Sequence, residues 1–126
     1  MQEIIRKLKF KDKAVILNAP TGMEKLFAEP GFATSFDKKV KSANTLVFIN
    51  NSKEYLDFLN KQLSYIEPDG VLWFAYPKGT SKIKTDINRD TLRVTGESFG
   101  ITTVTAISID DTWSALRFRP IEKVGK

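Results

Sequence analysis

Three apolar runs do most to limit what this chain can become. Residues 14–17 read Ala-Val-Ile-Leu, residues 45–49 Thr-Leu-Val-Phe-Ile, and residues 71–75 Val-Leu-Trp-Phe-Ala. None alternates apolar with polar residues. A strand with water on one face must alternate, so these runs belong to strands buried on both faces. All fall far short of the roughly 20 apolar residues that span a bilayer. Between the second and third lies the clearest helix. Tyr55, Leu56, Leu59, Leu63 and Ile66 recur at three- and four-residue spacing and form one stripe, with Asn60, Lys61 and Gln62 off it.

Start and stop signals fill in the rest. Thr21-Gly22-Met23-Glu24 has the capping-box pattern and predicts a short helix through Leu26 and Phe27, stopped by Pro30-Gly31. Asn50-Asn51-Ser52 offers helix caps, with Glu54 at helper spacing. Pro68-Asp69-Gly70 reads as a turn. Asp86 or Asn88 can cap a helix that runs through Leu92 and Val94 and stops at Gly100. Residues 101–109, rich in Thr, Val and Ile, read as a strand, Asp110-Asp111-Thr112 as a turn, and residues 113–118 as the returning hairpin partner. Residues 33–36 read as a short strand, and the polar residues 37–44 as loop.

Strands alternating with helices predict an α/β fold. The expectation is a single-domain, Rossmann-like open sheet, mostly parallel, with a C-terminal antiparallel hairpin. Counting strands along the chain as residues 14–17, 33–36, 45–49, 71–75, 101–109 and 113–118, the expected sheet order is 2-1-3-4-6-5. Residues 1–120 make one α/β domain and residues 121–126 a C-terminal tail.

Composition narrows the chemistry. There is no cysteine and no histidine among the 126 residues. Disulfides, thiol nucleophiles, thiolate metal sites and Ser–His–Asp or Cys–His catalysis are therefore excluded. The acids are scattered without metal-loop spacing, so no metal and no cofactor is expected. The charged N-terminus lacks the apolar core of a signal peptide, and the expected location is cytoplasmic, with no membrane partner. Net charge is +5, partly from Arg6, Lys7, Lys9, Lys11 and Lys13 and partly from Lys38, Lys39 and Lys41. A basic balance permits phosphate or nucleic-acid binding.

Open α/β sheets bind ligands beyond the carboxyl ends of their strands. Here those ends carry residues 18–22, 50–52 and 77–86. The candidate ligand-binding residues are Asn18, Thr21, Lys78, Ser81, Thr85 and Asp86. Pro77-Lys78-Gly79-Thr80-Ser81 could offer a phosphate amides, hydroxyls and an ammonium group. A helix cap alone is enough to explain Thr21. The turn after residues 14–17 has one glycine and a proline, not G-x-G-x-x-G, and no P-loop spacing occurs. Asp110, Trp113 and Arg117 are structural or ligand-facing. Asp110 and Asp111 suit a turn, Trp113 suits packing, and an inward Arg117 calls for a carboxylate such as Asp110 or Asp86.

Several stretches resemble a bacterial family of small proteins classed as a domain of unknown function. They are Leu72-Trp73-x-Ala75-x-Pro77-Lys78, Ser81, Thr85-Asp86, Gly100, and Ile109-Asp110-x-x-Trp113-Ser114-Ala115-Leu116-Arg117-Phe118. Residues 15–20, Val-Ile-Leu-Asn-Ala-Pro, look like that family's first strand and turn. Tyr76 stands where such proteins often have Trp, and Thr102-Thr103 where Val-Asp is usual. The resemblance implies the layout of a reduced class I methyltransferase-type Rossmann fold and carries no activity.

The expected function is therefore non-catalytic: binding of an anionic small molecule or partner at the C-terminal edge of the sheet. A divergent S-adenosylmethionine-dependent methyltransferase-like enzyme and a nucleic-acid-binding module are the alternatives.

Overall fold

The computed structural model describes residues 6–10, 14–19, 32–33, 41–78 and 86–123. Over these residues five strands form one sheet: β1 (Val15–Leu17), β2 (Ser42–Phe48), β3 (Ile66–Pro77), β4 (Ile101–Ser108) and β5 (Trp113–Pro120). Their lateral order is β1-β2-β3-β5-β4. Helix α1 (Ser52–Lys61) connects β2 to β3, and α2 (Arg89–Glu97) lies between β3 and β4. A parallel bridge also joins Val15 to Ala33.

The expectation of a mostly parallel, Rossmann-like open sheet is corrected. β1–β2 and β2–β3 are parallel, whereas β3–β5 and β4–β5 are antiparallel and carry the larger share of cross-strand pairs. Only residues 109–112 separate β4 from β5. A parallel crossover takes a dozen or more residues, so β5 must run back beside β4. It then occupies the place next to β3 and gives the central strand one parallel and one antiparallel neighbour. The hairpin strands have eight residues each, and β1 has three. The antiparallel half is thus the larger.

Residues 68–70 do not end a turn. β3 runs through them for 12 residues. Ser42 pairs with Ile66 and Asn44 with Val71, so β3 bulges against β2 at this point. A Cβ on Gly70 would lie 2.9 Å from the Ala43 carbonyl oxygen. Glycine is what lets the two backbones approach this closely. Ser42 and Asn44, expected in a loop, belong to β2, where the Ser42 and Thr45 hydroxyls are 2.7 Å apart.

Caps fix both helices. Asn51 accepts from the Glu54 amide at the start of α1, and Glu54 reaches back to the Asn50 amide. Asn88 and Thr91 form a reciprocal capping box on α2. On one side of the sheet Tyr55, Phe58, Leu59 and Leu92 pack against Val47, Leu72, Phe74, Leu116 and Phe118. Tyr55 meets Phe74 edge-on at 4.9 Å, and its hydroxyl donates to the Leu92 carbonyl, tying α1 to α2. The opposite side buries Leu46, Phe48, Val71, Trp73, Trp113 and Ala115 with Leu8 and Ala14. Phe10 and Phe32 pack over that side. No described helix is long and apolar enough to cross a membrane. The tail expected from residue 121 begins as a single 3-10 turn, Ile121–Lys123, whose first amide donates to Gly100.

Candidate functional site

The carboxyl ends of β1, β2, β3 and β4 lie on one edge, but their polar groups take separate partners. Lys78 follows β3. Its amide donates to the Thr112 carbonyl at 2.8 Å and its Nζ to the Ser108 hydroxyl at 2.6 Å. It therefore leans over the β4–β5 turn. Asp86 goes the other way: its two carboxylate oxygens accept from the Ser52 amide at 2.8 Å and the Ser52 hydroxyl at 2.6 Å. Ser52 opens α1, so the carboxylate sits on the helix's positive end. These two Ser52 bonds hold the Asp86 carboxyl below its ordinary range. The end of α1 where an external anion could dock already holds the protein's own anion.

Asn18 follows β1 with a left-handed φ of 61°. With Asn50, Glu54, Asp57, Phe58, Lys61 and Gln62 it lines a groove along α1 of about 510 Å³. Two carboxylates in that lining make it a poor host for an anion. Thr21, Ser81 and Thr85 lie outside the described residues. Asn18, Lys78 and Asp86 thus have different surroundings, and no single constellation gathers them.

The remaining candidates separate as well. Asp110 accepts from the Thr112 and Trp113 amides, both at 2.8 Å, and so closes the β4–β5 turn on itself. Trp113 is buried and meets Phe48 edge-on at 5.2 Å. Arg117 does not take the carboxylate partners expected for it, since Asp86 and Asp110 are engaged as described. Its Nε is buried without a hydrogen-bond partner. Among the described residues, no cluster of acids could hold a metal ion.

Arg117 leads to a second place, on the face of the sheet. It stands opposite Trp73 of β3 and Thr105 of β4, and Arg119 follows two residues on. Successive strand residues alternate faces, so Arg117 and Arg119 share the face of Ala115 and Trp113. The N-terminal turn lies over this face. Leu8 is fully buried there, and the Trp73 indole N–H donates to its carbonyl at 2.8 Å. Lys7 and Lys9 flank this anchored residue, and Lys9 ends the turn with a φ of 57°. The result is a cleft of about 390 Å³ lined by Lys7, Lys9, Arg117 and Arg119, with Trp73, Val104, Thr105 and Ile107. Four cations line it, and no described acid does. The available local signal was Arg117 and Arg119 at same-face spacing, together with the basic run at the N-terminus. That the two would meet was not readable locally.

Comparison with protein-family models and with curated proteins finds no match for this chain. Its function rests on its own geometry.

Proposed function

We propose that the protein is a non-catalytic, cytoplasmic binder of an anionic small molecule or partner, held in the cleft between the N-terminal turn and β4–β5. One observation carries the reading: a buried Arg117 Nε without a partner lines a cleft with three other cations. A buried donor left unmade costs about 1–3 kcal/mol. Arg117 and Arg119 are two residues apart on one strand, roughly 7 Å at their Cα atoms. A bound anion would supply the partner that the buried Arg117 donor lacks.

The strand-end edge offers less to an anion, because Glu54 and Asp57 line its groove and Asp86 occupies the start of α1. The absence of histidine and cysteine supports binding over catalysis and fits a reducing compartment. The methyltransferase-like alternative rests on the resemblance alone and is not argued further.

The test is a thermal-shift titration with inorganic phosphate, sulfate and nucleoside phosphates. The midpoint should rise with anion concentration by mass action, and added sodium chloride should suppress the rise. No shift with any anion, or a shift that survives Arg117→Ala combined with Lys9→Ala, would overturn the reading.

A further inference from the structure

Strand β4 forms an open edge of the sheet among the described residues. An edge strand turns the N–H and C=O of every second residue outward, and proteins usually blunt such edges with charged residues, proline or a bulge. β4 reads Ile-Thr-Thr-Val-Thr-Ala-Ile-Ser, with no charge and no proline in eight residues. The register shift between Thr103 and Thr105 is the one such device present. Val104 is 38% exposed, and Thr105 and Ala106 are also exposed. Val104, Thr105 and Ile107 line the basic cleft as well. The open edge and the cations are therefore one continuous surface.

We propose that the anion is an acidic peptide segment, added to β4 as a further strand with a carboxylate at every second residue facing Arg117, Arg119, Lys7 and Lys9. This inference rests on the anion reading of the cleft and specifies its ligand. Strand addition supplies affinity through main-chain hydrogen bonds and specificity through alternate side chains. The alternation of an added strand repeats every two residues, the spacing at which Arg117 and Arg119 stand. An added strand lies about 4.8 Å beyond β4, with β5 one strand further in, within the span that long arginine side chains bridge.

A second copy of the chain is the rival occupant, and charge disfavours it. Antiparallel β4–β4 pairing about a two-fold axis normal to the sheet puts both basic clefts on the same face. It also joins two chains of net charge +5.

The experiment measures fluorescence anisotropy of a labelled peptide alternating glutamate and valine, with inorganic phosphate titrated in parallel. Two further peptides carry N-methyl groups on alternate residues, one in each phase. The unmodified peptide should bind, and one methylated phase should bind about tenfold more weakly while the other does not. Arg117→Ala should weaken both peptide and phosphate. If phosphate binds but neither methylated phase differs from the parent, strand addition is overturned and the anion reading stands. If neither phosphate nor peptide binds, both fall. A single-stranded oligonucleotide binding about tenfold more tightly than the peptide assigns the cleft to nucleic acid and overturns the proposal. So does a dimer, seen by sedimentation, that Val104→Lys dissociates.

Discussion

Replacing Arg117 by methionine should make the protein more stable and less able to bind anions. Methionine keeps an unbranched stem of similar reach, so the packing beside Trp73 and Thr105 is largely retained. The substitution removes a buried Nε that makes no hydrogen bond. That group costs about 1–3 kcal/mol. Less some lost contact, the expected net gain is about 1–2 kcal/mol. For 126 residues the entropy of unfolding converts 1 kcal/mol into about 4 °C, so the midpoint should rise by about 4–8 °C in chloride buffer. Phosphate at ten times its dissociation constant for the wild type stabilises that protein by about 1.4 kcal/mol, or about 5 °C, and the same concentration should raise the variant less. Scanning calorimetry of both proteins across a phosphate series measures the two effects together. The gap between them should narrow as phosphate rises. A variant that melts below the wild type without phosphate, or that gains as much from phosphate, refutes the argument.

Three further outcomes follow from the geometry. Trp73→Phe deletes the indole bond to Leu8 and leaves a small void, so it should cost about 1–3 kcal/mol and weaken phosphate binding by loosening Lys7 and Lys9; titration calorimetry showing unchanged affinity would contradict this. Gly96→Ala should gain about 1 kcal/mol in helix propensity yet lose more to crowding, since its Cβ would meet the Tyr55 hydroxyl at 2.9 Å and Phe118 at 3.0 Å. Urea denaturation should find Gly96→Ala milder in a Tyr55→Phe background, and strict additivity would rule out the clash. Asp86→Asn should destabilise at neutral pH. The folded-state pKa of Asp86 lies below the ordinary 3.8, so its contribution is present above that value and disappears as pH falls through the folded one; a stability gap that persists at lower pH speaks against the Ser52 assignment.

Short-range patterns were legible in the sequence. The three apolar runs are strands, Asn51 and Asn88 are caps, and Asp110 closes the hairpin turn, each decided by neighbours within a few residues. The expected helical stripe was partly misassigned: Leu56 is 40% exposed, whereas Phe58, three residues after Tyr55, is buried, and α1 ends at Lys61, so Leu63 falls in a 3-10 turn and Ile66 opens β3. Pro68-Asp69-Gly70 reads as a turn by local chemistry, but the partner strand draws that segment into a bulge. The balance of parallel and antiparallel pairs depends on ladder lengths that no single segment encodes. The cleft was hidden for the same reason, because its lysines and arginines come from opposite ends of the chain.

The Trp73–Leu8 bond spans 65 residues and closes one wall of the cleft. The entropy of closing a loop grows with its length, whereas the β4–β5 hairpin closes across a four-residue turn. The hairpin, with Arg117 and Arg119 on it, can therefore form early, while the lysine wall waits for β3. Assembly of the cleft is then expected late in folding: a partly folded chain would present two arginines on a bare hairpin before the lysine wall closes over them.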